Sequence, residues 1–531
     1  MYRTAEPRTP VADPHLIARL RDDLNAADFT AGAIRSRLGE DADEARARGA
    51  LAPARRALLA AAGPTVAPLD ALIELFLLAG SLPPHTVSVA LPTLGHAGAH
   101  ELGLLGDSGA GQVRAAVSLN PTQLPGSERS WWLLSDLDEH LVGGPLRPDH
   151  VLGVGGATRS LLGIAFPTKP GDRVLDLGTG CGVIGLVAAA AGGSVVATDV
   201  SARALTFAEM NAQLNDVSGI EFRLGDRFEP VRGERFDQIL SNPPFVITPR
   251  VAGVARYEYR DGGLVGDDLV ASVLGSAEAH LNPGGTLQAL ANWEYRWGQD
   301  GLQRVLGWVS TVEEHEPPQL LDAWVLERQR LSPVRYAETW ARDGGAVAGS
   351  AEFDARVDDW LADFAARRVH GIGFGFVLLH AGPGDRPPVR RTEIASGPLP
   401  GPGPERLGAH LERAFAAGRA QDALGDDGFA ELHLSVVSEV TEQRDYVPGA
   451  EEPSAIRLVQ ADGLGRVIGL DTVLAAAIGA SDGDLTVGQI SDALAALLSA
   501  EGPELRAALV AGLRELVWHG VLAPKQATGP R

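Results

Sequence analysis

The spacing of apolar residues divides the chain into three patterned regions, preceded by a polar leader at residues 1–14. In the first region, residues 15–125, apolar residues recur with the period of an α-helix, and a strand is expected at 112–119. Helices followed by a strand hairpin favour a winged-helix-like domain, although a helical cap on the next domain fits equally well. The helices of this region are expected at 31–38 after Thr30, from Pro68 to Ala79, at 86–90 and at 98–105.

The second region, residues 126–396, alternates short apolar runs with glycine-rich turns and amphipathic stretches. After a connector at 130–150, this alternation predicts an α/β fold with a doubly wound, Rossmann-like parallel sheet. Helices are expected at Val183–Ala191, Ala202–Leu214 and Asp267–Leu281. Strands are expected at Arg173–Leu177, Ser194–Asp199, Ile220–Leu224, Gln238–Ser241, Gly285–Asn292, Gly371–Leu379 and Val389–Ile394.

The third region, residues 397–531, opens with the Pro-rich linker Gly397–Pro404 and has the pattern of an α+β accessory domain. Strands are expected near 431–437 and 456–460, and helices at 471–478, 487–498 and 503–518. The last three helices suggest a second winged-helix-like unit. From residue 401 onward the chain carries 10 basic and 19 acidic residues. This acidity favours packing or protein docking over DNA binding.

Composition narrows the possible functions. The 531 residues, enough for three or four domains, carry a formal net charge of −22, which disfavours proteins that coat nucleic acid. The single cysteine, Cys181, excludes a disulfide framework or a cysteine-based metal site within the chain, and no metal is predicted. No apolar run has the length of a membrane span, and the first 14 residues lack the apolar core of a signal peptide. Together these features predict a cytoplasmic protein without a membrane partner.

The segment from Val174 to Gly185 combines a strand, a glycine-rich turn and the start of a helix. Glycines let the backbone approach a ligand where a Cβ atom would clash, and the following helix N-terminus suits a polar or anionic group. Asp199 ends the next strand, where a carboxylate can accept hydrogen bonds from ribose hydroxyls. This arrangement predicts a nucleotide site, in which Cys181 is a small spacer.

The fourth strand of the sheet ends in Asn242-Pro243-Pro244-Phe245. The Asn242 side-chain oxygen and the Pro243 carbonyl can each accept one N–H bond, so together they can orient a planar amine or amide. The proline pair stiffens the loop, and Phe245 can stack on a planar group. These residues are therefore the candidate catalytic set.

The ordered motifs resemble those of class I S-adenosylmethionine-dependent methyltransferases, in particular the amino-methyltransferases with an Asn-Pro-Pro-aromatic sequence. That group includes release-factor glutamine, ribosomal RNA guanine-amine and adenine-amine enzymes. The resemblance covers about 70 residues and implies a seven-stranded sheet, with S-adenosyl-L-methionine as cofactor. It also implies that Asp226 faces the adenine amine. The cofactor-binding residues are then Asp176, Gly178, Thr179, Gly180, Gly182, Asp199, Asp226 and Asn242.

The methyl acceptor is left open between a protein glutamine and a nucleic-acid base. The net charge favours protein, whereas a loop after the motif carries Arg250, Arg256 and Arg260, which can contact phosphate or an acidic protein. A small-molecule N-methyltransferase is a third option. A non-catalytic, cofactor-binding regulator is a fourth, suggested by the two winged-helix-like ends. The sequence does not indicate an oligomeric state.

Overall fold

A computed structural model describes residues 9–60, 66–125, 127, 129–142, 146–250, 260–309, 320–382, 384, 386–399, 406–500 and 502–525. Residues 1–8 of the expected leader and 400–404 of the expected linker lie outside these ranges. The chain forms two compact units, the first made of residues 1–162, 168–308 and 331–373. The second unit is made of residues 163–167, 309–330 and 374–531. No helix among the described residues has the length and hydrophobicity needed to cross a bilayer.

The first unit begins with short helices and a small antiparallel sheet. The helices are α1 (Pro14–Ala26), α2 (Ala31–Leu38), α3 (Glu40–Ala47), α4 (Ala52–Ala60), α5 (Pro68–Leu72), α6 (Pro84–Ala90) and α7 (Gly95–Glu101). Strands β1 (Ser81–Leu82), β2 (Leu105–Gly109) and β3 (Gln112–Ala115) pair in the order β1-β3-β2. The Thr30 hydroxyl caps α2 by accepting the amide of Ala33 at 3.1 Å, as the sequence predicts. The helix expected at 98–105 ends earlier, because Gly103 has a φ of +75° and Leu105 enters β2.

Two further strands lie where the sequence predicts the end of strand 112–119 and the start of the connector 130–150. Strand β4 (Val117–Gln123) and strand β5 (Ser130–Asp136) form an antiparallel pair, so the connector predicted over 130–150 is wrong for its first seven residues. The reason is the environment of β5. Trp131 is buried, and the amide side chains of Asn211 and Asn215 bond the backbone of β5 along its length.

The central parallel sheet of the first unit confirms the doubly wound prediction. Its strands are β6 (Arg173–Leu177), β7 (Ser194–Asp199), β8 (Ile220–Leu224), β9 (Phe236–Ser241) and β10 (Leu281–Arg296). They lie in the order β10-β9-β6-β7-β8, and each neighbouring pair is parallel. The helices of this region are α8 (Glu139–Val142), α9 (Gly156–Ile164), α10 (Val183–Ala190), α11 (Ala202–Leu214), α12 (Asp268–Ser276) and α13 (Gly301–Trp308).

The sheet has more strands than the resemblance implies. Its later elements are β11 (Leu321–Leu331), α14 (Pro333–Asp343), α15 (Ala351–Ala366), β12 (Val369–Ala381) and β13 (Arg390–Ile394). The full order is β13-β11-β12-β10-β9-β6-β7-β8, which makes eight strands among the described residues, one more than the seven implied. The unexpected strand is β11, which runs parallel to the expected edge strand β13. The apolar pattern does not predict β11, because it buries the charged residues Asp322 and Glu327.

The C-terminal part of the second unit is an α+β structure, in line with the expected accessory region. Its helices are α16 (Leu407–Asp422), α17 (Asp426–Ala430), α18 (Thr472–Gly479), α19 (Val487–Leu498) and α20 (Gly502–Trp518). Its strands are β14 (His433–Val436), β15 (Val440–Asp445), β16 (Ala455–Gln460), β17 (Val467–Leu470), β18 (Asp482–Thr486) and β19 (Leu522–Pro524). They form two three-stranded sheets, β18-β14-β19 and β15-β16-β17, over a core that includes Phe429, Leu458 and Leu513.

A buried ion pair joins the end of β5 to α11. The Arg203 guanidinium contacts both carboxylate oxygens of Asp136, and the two side chains are only 6% and 8% exposed. Asp136 also accepts the backbone amide of Val151 at 2.9 Å. Removing one member of a buried pair leaves the other charge without compensation.

We therefore expect Asp136→Ala to lower the free energy of unfolding of the first unit by roughly 3–5 kcal/mol. Urea unfolding followed by tryptophan fluorescence measures this change. The matched control is Asp149→Ala, which breaks a pair with Arg147 whose side chains are 33% and 45% exposed, and which costs at most about 1 kcal/mol. Equal losses in the two variants would show that the buried pair contributes no more to the free energy of unfolding than the exposed pair does.

Candidate functional site

Two strand ends that lie side by side bring the two sequence motifs together. Leu177, the last residue of β6, is in register with Ser241, the last residue of β9. The Ser241 hydroxyl also donates to the carbonyl of Leu177 at 3.0 Å. The glycine loop and the Asn-Pro-Pro-Phe sequence therefore begin as neighbours at the carboxyl edge of the sheet, where ligands bind in open α/β folds.

A cavity of about 400 Å³ opens at this edge within the first unit. Loops that follow β6, β7, β8 and β9 form its walls, together with residues of the segments 150–158 and 261–263. Of the predicted site residues, those that line it are Gly178, Thr179, Gly180, Asp199, Asp226, Asn242, Pro243 and Pro244.

The glycines of the loop are required by its backbone. Gly178, Gly180 and Gly182 have φ values of +77°, +56° and +88°, a region that L-residues with side chains avoid. A Cβ atom at Gly182 would lie 2.8 Å from the Cβ of Ala208, so Gly182 permits close packing of α10 on α11. A Cβ atom at Gly178 or Gly180 would meet no protein atom within 4 Å. These two positions therefore leave room for a ligand in the cavity.

Asp176 stabilises the glycine loop through hydrogen bonds and does not line the cavity. Its Oδ2 atom accepts the Thr179 hydroxyl at 2.5 Å and the amide of Gly185 at 2.8 Å, which closes the turn onto the start of α10. Its Oδ1 atom is buried without a hydrogen-bond partner among the described residues. Burial raises the pKa of Asp176 to about 6.

Two other carboxylates reach the cavity itself. Asp199 accepts the amide of Gly180 on one oxygen and that of Ser201 on the other, both at 2.9 Å, and burial raises its pKa. Each oxygen of Asp199 keeps a second lone pair for a ligand hydroxyl. Asp226 follows β8 and is half-exposed. The neighbouring Arg227 contacts it through Nε at 3.0 Å and Nη2 at 2.8 Å, which holds the carboxylate at the cavity wall.

The Asn-Pro-Pro-Phe sequence is divided between the cavity and the core. Asn242 lines the cavity with Pro243 and Pro244, and its Oδ1 atom is buried with no hydrogen-bond partner among the described residues. A buried acceptor left without a donor is costly, so this atom is poised for a ligand N–H. Phe245 does not line the cavity. It packs, half-buried, against the apolar cluster that Val246 and Ile247 form with α14 and α15.

Comparison with known proteins identifies the domain that carries these motifs. Residues 154–319 match the model of the "Methyltransferase small domain" family, and residues 26–116 match that of a "Domain of unknown function (DUF7059)". The predicted resemblance to amino-methyltransferases is thus confirmed.

Several curated relatives align with part of the chain. A release factor glutamine methyltransferase of Xylella fastidiosa (strain 9a5c) is 39% identical over 142 residues, 25% of this chain and 50% of the relative. A ribosomal protein uL3 glutamine methyltransferase of Bradyrhizobium diazoefficiens is 36% identical over 27% of this chain and 47% of its own length. A ribosomal RNA small subunit methyltransferase C of Alcanivorax borkumensis is 33% identical, with coverages of 26% and 38%. The chain spans about half the length of the first two relatives and less of the third.

Solved methyltransferase structures also resemble the chain. The 16S rRNA N2 G1207 methyltransferase of T. Thermophilus, solved with AdoMet and guanosine, has a TM-score of 0.25 and 18% identity. That comparison covers 45% of this chain and 61% of the other.

The arginines expected near the target pocket of the methyltransferase domain are engaged in ion pairs. Arg250 pairs with Asp261 at 2.7 Å and also donates to the carbonyl of Leu264. Arg260 is buried, pairs with Asp343 at 2.8 Å, and lies 5.8 Å from the ring of Trp340. Arg256 lies outside the described residues. The two described arginines therefore stabilise the wall beside the cavity and are not presented to solvent as phosphate ligands.

Other residues support the cavity or the glycine loop. His150 lies at the cavity wall beside the Asp136–Arg203 pair, and burial lowers its pKa. Asn211 donates from Nδ2 to the carbonyls of Cys181 and Leu134, both at 2.9 Å, and so ties the glycine loop to β5.

The buried Cys181 has a pKa raised to about 12, which suits the predicted spacer. No cluster of His, Cys, Asp and Glu in the described residues has the arrangement of a metal site.

The raised pKa of Asp176 predicts a pH dependence of stability. The folded state binds the Asp176 proton more tightly than the unfolded chain does, so this carboxyl stabilises the fold most at low pH. That contribution is lost as pH rises from the ordinary aspartate pKa of 3.8 through the raised pKa of about 6. The free energy of unfolding of the wild type, relative to Asp176→Asn, should therefore fall by roughly 1 kcal/mol between pH 5 and pH 7.5.

Urea unfolding of both proteins across that pH range measures the difference. Asp216→Asn, which changes a carboxylate whose side chain is 84% exposed, is the control and should follow the wild-type slope. Parallel curves for the wild type and Asp176→Asn would contradict the raised pKa.

Proposed function

We propose that the chain is an S-adenosylmethionine-dependent methyltransferase that transfers a methyl group to a planar amide or exocyclic amine nitrogen. One observation carries the proposal. The Asn242 Oδ1 atom, at the wall of the cavity, is buried and has no hydrogen-bond partner among the described residues. A planar N–H donor is the group that such an acceptor lacks.

The residues that line the cavity suit the proposed cofactor. Asp199 offers lone pairs to ribose hydroxyls, and Asp226 offers a carboxylate to the adenine amine. Gly178 and Gly180 leave open space for the ligand, while Asp176, Thr179 and Gly182 keep the loop in shape. The segment 150–158 forms a further part of the cavity wall, which includes His150. The matching family model and the curated relatives named above are methyltransferases, which supports this assignment.

The bound cofactor would supply a methyl group activated by its positively charged sulfur. The acceptor nitrogen is a poor nucleophile, because its lone pair is delocalised into a carbonyl or ring. Asn242 Oδ1 and the Pro243 carbonyl would each accept one of its N–H groups and direct the lone pair at the methyl carbon. The cofactor, held by Asp199 and Asp226, would give up its methyl group from sulfur to the acceptor nitrogen and leave as a neutral thioether. The nitrogen would lose its extra proton to water, so no strong base is needed.

A protein glutamine amide is the acceptor that the surface favours. The chain has a net charge of −22, and Arg250 and Arg260 are already paired. Helix α15, which packs beside Phe245, exposes Asp354 and Asp358. Negative charge near the site repels phosphate, so a base in RNA is the second candidate, supported by the ribosomal RNA relative. Either acceptor is consistent with a cytoplasmic enzyme. A small-molecule acceptor and a non-catalytic regulator are weaker alternatives, because a regulator has no need of the Asn242 acceptor.

We expect Asn242→Ala to reduce methyl transfer on the order of 100-fold, because the orientation of the acceptor nitrogen is lost. Labelled cofactor is incubated with a bacterial extract, and the label is counted in the protein and RNA fractions. Asn282→Ala is the control, since Asn282 bonds Asp237 away from the cavity. Label in protein that disappears in Asn242→Ala supports the favoured acceptor, and label in RNA would replace it with the second candidate. A wild-type chain that transfers no label would refute the enzyme assignment.

We expect Asp199→Ala to weaken S-adenosylhomocysteine binding by roughly 10- to 100-fold, because hydrogen bonds to a charged group contribute about 1.5–3 kcal/mol. Isothermal titration calorimetry measures the dissociation constant. Glu209→Ala removes an exposed carboxylate of α11 and should bind like the wild type. Wild-type affinity in Asp199→Ala would exclude this carboxylate from the cofactor site.

A further inference from the structure

Two helices that lie far along the chain hold the backbone that follows the Asn-Pro-Pro-Phe sequence. Val246 and Ile247 are buried in an apolar cluster with Tyr336 of α14 and with Trp360 and Phe364 of α15. All these residues belong to the first unit, although α14 and α15 lie outside the matched methyltransferase small domain. The acceptor side of the cavity therefore depends on residues that the domain itself does not supply.

The amides of this segment need partners from elsewhere, because residues 246–250 belong to no helix or strand. The amide of Val246 donates to the carbonyl of Arg260 at 3.2 Å. The amide of Ile247 donates to the phenolic oxygen of Tyr336 at 3.1 Å. The same oxygen accepts the Nδ2 group of Asn292, on β10, at 2.7 Å. One phenol thus joins the segment after the motif to the strand beside β9.

The position of this phenol is fixed by its surroundings. Tyr336 is buried, and its ring centroid lies 5.6 Å from that of Trp360 and 5.8 Å from that of Phe364. Burial raises the pKa of Tyr336, so the phenol stays neutral at ordinary assay pH. Asp343, the last residue of α14, pairs with Arg260, whose carbonyl accepts the amide of Val246. Helix α14 is therefore linked to this segment through a second residue.

We propose that Tyr336 is a positioning residue for methyl transfer, which holds the Ile247 amide and so fixes the direction in which Asn242 and Pro243 present their acceptor oxygens. The proposal rests on the proposed function. Pro243 and Pro244 have fixed φ angles, so the loop has little freedom to absorb a displacement at Ile247. A small shift of the anchor is therefore passed to the acceptor nitrogen, for which an error of about 1 Å costs on the order of 100-fold in rate.

The test is Tyr336→Phe, which keeps the ring in the cluster and removes only the oxygen. Thr339→Ala is the matched control, because it deletes a hydroxyl of the same helix that bonds only the carbonyl of Arg335 within that helix. S-adenosylhomocysteine binding by calorimetry gives the affinity and the fraction of active sites. The kcat and the acceptor KM are then measured per active site, with the acceptor identified by the labelling assay.

We expect kcat per active site to fall roughly 10- to 100-fold in Tyr336→Phe, with cofactor affinity within about twofold of the wild type and Thr339→Ala unchanged. A merely structural role would lower the number of active sites and leave kcat per site unchanged, which would overturn the proposal. If Tyr336→Phe does not fold, Asp343→Asn tests the second contact of α14 with this segment, because an amide of the same size still gives the buried Arg260 an acceptor. Unchanged kinetics in that variant would also overturn the proposal. An inactive wild type would instead refute the proposed function.

Discussion

The constraint on which the site depends is the side-by-side ending of β6 and β9. Leu177 and Ser241 are in register, and the Ser241 hydroxyl bonds the Leu177 carbonyl across the gap. A slip of one residue would turn the side chains of one strand to the opposite face of the sheet. It would also separate the glycine loop from Asn242. The register of two buried parallel strands therefore brings the glycine loop and Asn242 to the same cavity.

Buried polar side chains then fix the loops that this register brings together. Asp176 closes the glycine loop, Asn211 ties that loop to β5, and the Asp136–Arg203 pair fastens the segment at Val151. Each of these side chains bonds the backbone of a loop, although one oxygen of Asp176 has no partner among the described residues. The Asn242 Oδ1 atom also lacks a partner there, but it belongs to a residue of the cavity wall, where a ligand can supply a donor.

The sequence predicts the strands of this sheet far better than the elements around it. The bounds of β6, β7 and β8 agree with the expectation, because each is a short run between turn-forming residues in a βα alternation. By contrast, β11 is hidden by Asp322, whose partner Arg386 is distant in the chain, and β5 by its pairing with Asn211 and Asn215. The same limit applies at the site. The motif predicts a role for Asn242, but nothing local reveals that Arg250 and Arg260 are paired or that Phe245 packs into the core.

Similarity to other proteins consequently covers the residues that line the cavity near the glycine loop, but not the helices that support the segment after Asn242. The glycine loop, Asp199, Asp226 and Asn242 all lie within residues 154–319, which match the methyltransferase small domain. The segment that follows Asn242 packs against α14 and α15. These helices lie beyond the matched residues, and the apolar pattern does not predict them. Relatives that share the matched residues can therefore share their cofactor chemistry and still differ in acceptor. The names of the relatives, which include both glutamine and ribosomal RNA methyltransferases, show that variety directly. Under the proposed function, acceptor choice in this chain would depend on the helices that support the motif as well as on the motif itself.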